Sequence, residues 1–358
     1  MSGSGIGNFV GDNNLSSPQV TQISERSVSM TKLRNEVDLY TSLASRLGSQ
    51  NLQRRLELEA EGKGPIVGHR LNFFHWENWL SFHRVVRVAL RLSLLYGRAR
   101  RNALDIQITH NEIHIPGLPR RFHRFKLLHL SDLHLDIIKQ FPFVLSERIQ
   151  DAVYDVCVLT GDFRYRTYGP LEPALAGMAH VRQSIKGSAY GVLGNHDPIA
   201  MVPVLEDMGI RMLLNESVVV ERGEESIYLA GIDDPHYFET HDLGAASASV
   251  FEDAISILLA HTPEVYHHAA NAGFDVMFCG HTHGGQIRLP GNIPVILNAK
   301  CPRRFGAGPW NHQQLQGYTS VGAGSSLVDV RLNCRPEITV HRLRCDREVD
   351  TAPGVTTK

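Results

Sequence analysis

Cys279-Gly280-His281-Thr282-His283-Gly284-Gly285-Gln286 closes the last of five short apolar runs, each ending in a residue able to bind a metal ion. Upstream lie Leu127-Leu128-His129-Leu130-Ser131-Asp132-Leu133-His134, Val156-Cys157-Val158-Leu159-Thr160-Gly161-Asp162, Tyr190-Gly191-Val192-Leu193-Gly194-Asn195-His196-Asp197 and Ile257-Leu258-Leu259-Ala260-His261. An open α/β sheet builds its site from polar groups at the carboxyl ends of buried strands. Five such ends in order predict α/β layering with a large mixed sheet system.

His281 and His283 stand two residues apart where a strand ends, so both imidazoles can project from one side, and Asp132 and His134 repeat that geometry. Adding Asp162, Asn195 and His261 gives seven nitrogen or oxygen ligands. One metal uses three or four protein ligands and an open position, so seven suffice for two if one carboxylate bridges. Imidazole, carboxylate and amide oxygen suit manganese, with iron, zinc or magnesium as alternatives, and no cysteine belongs to the set. Two cations about 3.5 to 4 Å apart can hold a bridging hydroxide and clamp a phosphate for in-line displacement.

The order Asp-x-His, Gly-Asp, Gly-Asn-His-Asp, His and Gly-His-Thr-His resembles the calcineurin-like metallophosphoesterase superfamily. The tail Gly-His-Thr-His-Gly-Gly-Gln, with Leu258-Leu259-Ala260-His261-Thr262-Pro263-Glu264, is similar to its YkuE-like and YaeI-like bacterial phosphohydrolases. Gly231-Ile232-Asp233-Asp234-Pro235 and Val330-Arg331-Leu332-Asn333-Cys334-Arg335-Pro336-Glu337-Ile338 add to the likeness, which spans Phe125 to Leu343 and omits the first hundred residues.

The resemblance implies a four-layer αββα sandwich with two mixed β-sheets. It implies a first metal on Asp132, His134 and His283, a bridging Asp162, and a second metal on Asn195, His261 and His281. His196 would be the catalytic histidine, hydrogen-bonding phosphoryl oxygens and protonating the leaving oxygen, with a carboxylate partner that is Asp197 or another group. The implied activity is hydrolysis of phosphodiester or pyrophosphate bonds in a phosphate-ester small molecule. A lipid-linked nucleotide, cleaved as by a UDP-2,3-diacylglucosamine pyrophosphatase, is the alternative. A metal-poor scaffold of the same fold would have lost ligands, and none is lost here. One departure follows Asp162: Phe163-Arg164-Tyr165-Arg166 stands where the superfamily often has another acidic residue. Arg164 is either a bidentate phosphate ligand or a solvated loop charge. Gly284 and Gly285 allow close approach to a ligand or a tight turn, and Arg331, like Arg303 and Arg304, either lines an anionic pocket or lies at the surface. His129 is expected in the core, and His267-His268 on a solvated helix face.

Residues 1–32 are expected to be a disordered lead, 33–104 a helical extension, 105–345 the catalytic domain and 346–358 a flexible tail. Within the extension, 76–101 is expected to be one basic amphipathic helix. Arg84, Arg87, Arg91 and Arg98 share a sector opposite Trp79, Phe82, Val86, Ala89, Leu90 and Tyr96. Its apolar face either packs on the neighbouring domain or lies on an anionic membrane surface. With 36 basic and 37 acidic residues and no continuous basic stripe, nucleic acid is not the expected partner. Five cysteines without Cys-x-x-Cys spacing indicate neither a disulfide framework nor a structural zinc site, and fit a reducing cytoplasm. No run approaches the roughly 20 apolar residues of a membrane-spanning helix. The sequence does not set the oligomeric state.

Overall fold

Each quoted run is a strand whose residues are almost all buried, as expected for strands covered on both faces. The computed structural model describes residues 37–61 and 85–345. The expected lead, the expected tail and the 76–84 portion of the amphipathic segment lie outside the described residues. In chain order the strands are β1 (Gln107–Ile115), β2 (Lys126–Leu130), β3 (Val156–Thr160), β4 (Ala189–Val192), β5 (Ile210–Met212), β6 (Glu216–Arg222) and β7 (Glu225–Gly231). There follow β8 (Ser256–Leu259), β9 (Val276–Cys279), β10 (Arg288–Leu289), β11 (Ile293–Pro294), β12 (Gly308–His312), β13 (Leu315–Thr319) and β14 (Glu337–Cys345).

They form two six-stranded mixed sheets, ordered β1-β14-β2-β3-β4-β5 and β12-β13-β9-β8-β7-β6, and a small β10-β11 hairpin. β2 to β5 run parallel, while β14 is antiparallel to β2. The period-two alternation of strands divides each sheet's residues between two faces. Leu127, Val158 and Val192 meet Leu229, Ile257, Phe278 and Tyr318 between the sheets. On the far face of the second sheet, Ala230, Leu258 and Met277 pack with Ala269 and Ala270 of a helix at Tyr266–Asn271. Helices Phe141–Gln150, Glu172–Arg182 and Met201–Asp207 accompany the first sheet, completing four layers. β3 approaches β8 across the interior, so the carboxyl ends of the motif strands from both sheets meet at one rim.

The expected helical extension is helical over α1 (37–47) and again over α2 (Ser49–Ala60), with Gly48 at φ 88° between them. Arg55 anchors α2. Its buried guanidinium pairs with Asp233 at 2.5 Å and Glu59 at 3.0 Å, donates to the carbonyl of Asp197, and lies over the Phe238 ring. The backbone N–H of Ile199 donates to Glu59. Part of the segment outside the family likeness therefore braces the loop carrying Asn195 and His196.

The single amphipathic helix expected over 76–101 is corrected. Helix α3, described over 85–92, ends at residue 92, Leu94 adopts φ 59°, and α4 (Tyr96–Asn102) follows. The break is a helix-end closure, with Leu95 N–H donating to the Leu90 carbonyl. It lets Leu95 and Tyr96 join Val86, Leu90 and Ala99 on Val328, Val330 and Leu332. Arg87 and Arg100 pair with Asp329 at 3.2 and 3.1 Å. Among the described residues no helix is long and apolar enough to cross a membrane.

Candidate metal centre

Asp132, His134 and His283 form one cluster whose ligand atoms lie within 4.8 Å of one another, and Asp162, His261 and His281 form a second. Asp162 Oδ2 stands between them, 3.7 Å from Nε2 of His134 and 3.3 Å from Nε2 of His261. Asn195 Oδ1 lies 2.9 Å from Nε2 of His261. All seven residues expected as ligands therefore converge at the rim.

The backbone that aims them is left-handed: Asp132, His134, Asp162, His281 and His283 all have φ between 43 and 69°. Such conformations cost about 1 to 3 kcal/mol each and persist only where the surroundings fix them. Motif glycines give the room. A Cβ on Gly194 would sit 2.2 Å from Asp162 Oδ1 and 2.6 Å from its backbone nitrogen, and one on Gly280 would sit 1.8 Å from Ser131 Oγ.

Two imidazoles have fixed tautomers. Nδ1 of His134 donates to the Arg164 carbonyl at 2.9 Å and Nδ1 of His261 to the Thr160 carbonyl at 2.7 Å, leaving each Nε2 lone pair facing the centre. His134 Nε2 meets His283 Nε2 at 3.1 Å, and His261 Nε2 meets His281 Nδ1 at 3.1 Å. Lone pairs converging at that distance repel unless a proton or a cation lies between. Burial pushes His134 down to about 4 and Asp132 up to about 6. Burial likewise opposes charge on His261, but the Asp162 carboxylate beside it outweighs this and raises it to about 10. A divalent cation would replace that proton and satisfy both lone-pair clusters, so the donor set fits two metal ions.

His196 overlooks the centre, its Nε2 4.0 Å from Asp162 Oδ2 and its side chain still 17% exposed. Its Nδ1 pairs with Thr167 Oγ1 at 3.0 Å, which corrects the expectation of a carboxylate partner. Asp197 is occupied elsewhere, accepting from the backbone N–H groups of Asp162 and Gly194 at 2.7 and 2.9 Å. The sequence signalled neither Thr167 nor Tyr165, whose ring stacks on His196; both lie in the loop where the family's acidic residue is missing. His236 was also missed. Its ring lies 4.2 Å from that of His281, and Glu264 holds it at 3.0 Å. Its place directly after Gly231 to Pro235 was the available signal.

Arg164 is not a solvated loop charge: the side chain is buried, and its backbone N–H donates to Asp197. Arg331 corrects both alternatives offered for it, a pocket-lining charge and a surface residue. Its buried guanidinium donates to the carbonyls of Val321, Gly322 and Gly324 and lies 3.2 Å from Nδ1 of His283. Gly284 and Gly285 turn the chain at φ 55 and 82° with Val321 and Pro294 against them, a tight turn beside His283. Arg303 and Arg304, and His267 and His268, are exposed, whereas His129 is buried.

The family described as Calcineurin-like phosphoesterase matches residues 125–285. The metallophosphoesterase YkoQ of Bacillus subtilis is 33% identical over 259 residues, covering 69% of this chain and 93% of the relative. The phosphodiesterase YaeI of Escherichia coli is 29% identical, with 61% of this chain and 82% of the relative covered. A UDP-2,3-diacylglucosamine pyrophosphatase, LpxG of Chlamydia trachomatis, is 24% identical over 49% of this chain and 69% of its own length. With the sandwich and the paired Asp/His clusters at its rim, these relationships place the chain in the calcineurin-like metallophosphoesterase family.

Proposed function

We propose that this hydrolase acts on phosphodiester or pyrophosphate bonds with two divalent metal ions, manganese foremost, shared across Asp162. The observation that carries the reading is Asp162 Oδ2 within 3.3 and 3.7 Å of one imidazole from each cluster. When bound, the metals would supply an ionised water and a positive clamp on the phosphate. The chain's own residues do the rest. Asp132, His134 and His283 hold one ion; Asn195, His261 and His281 hold the other. Burial holds His196 below its ordinary value against the pull of Asp162. It is therefore neutral at pH 7, and Thr167, donating to Nδ1, leaves its Nε2–H as hydrogen-bond donor to a phosphoryl oxygen. Arg331 keeps the His283 ring in place, and Arg164 supplies the carbonyl that sets the His134 tautomer.

The test is turnover of bis-p-nitrophenyl phosphate and of a nucleotide-sugar pyrophosphate by manganese-loaded protein, with His281→Ala alongside. Turnover lost in the variant is expected; no turnover by the parent, or full turnover by the variant, sinks the reading.

A lipid-linked substrate is the second reading, favoured by apolar surface beside the centre. Leu289, Ile293, Val295 and Ile296 are 42 to 55% exposed on and after the β10-β11 hairpin, which packs against Gly285. On α3 and the turn after it, Val85, Val88, Leu92 and Leu94 are also exposed. These side chains would receive acyl chains or rest on an anionic cytoplasmic membrane face, with Arg91 and Arg98 nearby in sequence. Co-sedimentation with vesicles containing phosphatidylglycerol, lost on Ile293→Asp with Leu92→Asp, is the expected result; pelleting equal to the parent counts against it.

A further inference from the structure

A chain of polar side chains, half-buried at its outer end and buried beyond it, crosses the first sheet on its inner face and ends on a metal-site carboxylate. Asn111 Nδ2 lies 3.1 Å from His341 Nδ1, His341 Nε2 is 3.2 Å from His129 Nδ1, and His129 Nε2 is 2.8 Å from Thr160 Oγ1. Thr160 Oγ1 is 2.7 Å from Ser131 Oγ, which donates to Asp132 Oδ2 at 2.6 Å. The sheet order β1-β14-β2-β3 places the first four of these residues on adjacent strands, with Asn111 directly opposite His341.

Donor and acceptor chemistry fixes the direction of every link. A carboxylate only accepts, so the Ser131 hydroxyl spends its hydrogen on Asp132 and must accept from Thr160. Thr160 then accepts from His129, which is Nε2-protonated with a lone pair on Nδ1. His341 supplies that lone pair with its own Nε2–H and accepts from the Asn111 amide. Both rings are neutral under this assignment. They lie against Phe278 and Tyr318 in the apolar interior, where an imidazolium would be costly. Burial accordingly drives His129 down to about 3.

We propose that Asn111, His341, His129, Thr160 and Ser131 form a one-way hydrogen-bond relay that positions Asp132 for the first metal. The relay engages Oδ2 alone; the His281 backbone N–H is shared by both oxygens at 3.0 Å, so Oδ1, 3.5 Å from Nε2 of His283, keeps the lone pair offered to the ion. Gly280 is part of the device, since any Cβ there would collide with the Ser131 hydroxyl. Five aligned donors polarise one another and hold a carboxylate more firmly than a lone serine would. These are positioning residues: none touches substrate. The inference rests on the two-metal reading.

The test is chelator titration of manganese-loaded full-length protein, reading metal per chain. The parent is expected to retain two ions. Thr160→Val, close to isosteric, should lose one of them at about 10-fold lower chelator, the range typical of groups that orient a ligand. Thr160→Ser should restore the parent curve. Nitrogen-15 spectra should show both His129 and His341 as neutral Nε2–H tautomers. Parent-like retention of both ions by Thr160→Val, failure of Thr160→Ser to rescue, or an Nδ1-protonated His129 overturns the relay. If Thr160→Val does not fold, Asn111→Ala at the half-buried outer end decides by the same titration, with unchanged retention overturning the proposal. A parent that binds no metal would instead refute the two-metal reading.

Discussion

Nε2 of His134, from the end of a strand in one sheet, lies 3.1 Å from Nε2 of His283, from the end of a strand in the other. Each sheet thus supplies half of a site that neither could build alone. The site strains the fold as well as using it. Buried imidazoles must share protons across 3.1 Å, and five left-handed residues cluster at the rim. Bound cations should therefore raise stability markedly. With manganese at about 100 times its dissociation constant, the gain is about 2.7 kcal/mol for a single site, which for a chain of this size moves Tm upward by several degrees. Scanning calorimetry with chelator and with manganese checks this; coincident melts would contradict it.

Arg55 lies outside the family likeness yet touches the site's support. Its charge is fully buried between Asp233 and Glu59, and its guanidinium also holds the Asp197 carbonyl. Arg55→Ala leaves buried carboxylates uncompensated, and breaking such a pair costs about 3 to 5 kcal/mol. Urea unfolding should show that loss. Phosphoesterase turnover should fall as well, because the loop bearing Asn195 and His196 loses its brace. A stable Arg55→Ala protein with parental turnover would disconnect α2 from the centre.

Much of this was legible from the residues. The strand-end pattern announced the layered α/β fold and all seven converging ligands, because buried parallel strands must be apolar until the residue at which they surface. The helix break at Leu94 was not legible, since Val86, Leu90 and Tyr96 keep a helical spacing and only the groove formed by Val328, Val330 and Leu332 makes the turn favourable. The roles of Thr167 and Asp197 also escaped. An adjacent carboxylate looks like the natural partner of His196, but Asp197 faces inward to cap three loop N–H groups, and the hydroxyl arrives from a different loop.

Gly194 offers a sharper check of loop packing than any ligand substitution. An added methyl group would meet the backbone nitrogen of Asp162 at 2.6 Å, not merely a mobile side-chain tip. Gly194→Ala should therefore displace Asp162 or Asn195. The expected outcome is a folded protein with fewer than two manganese ions per chain and turnover reduced by at least about 10-fold. Elemental analysis of the purified variant measures the first and a phosphodiester assay the second; two ions per chain would show that the loops tolerate what the packing forbids.

Acid sensitivity should come partly from two buried imidazoles that are not themselves metal ligands. His129 and His341 are fully buried, and burial holds both below the ordinary imidazole value, His129 at about 3. The unfolded chain, with imidazoles near 6.5, therefore takes up protons first as the solution is acidified. The contribution of these rings to stability is complete above about pH 6.5 and declines as pH falls toward 3. Each ring contributes a slope of up to about 1.4 kcal/mol per pH unit. Replacing His341 by Gln removes one proton acceptor from the unfolded state, so metal-free His341→Gln should lose up to about 1.6 kcal/mol less than the parent between pH 6.5 and 5. Paired urea titrations at the two pH values resolve that difference. Parallel losses would mean that His341 already titrates normally in the native protein, which its stacking on Phe278 at 4.0 Å and its neutral partner His129 argue against.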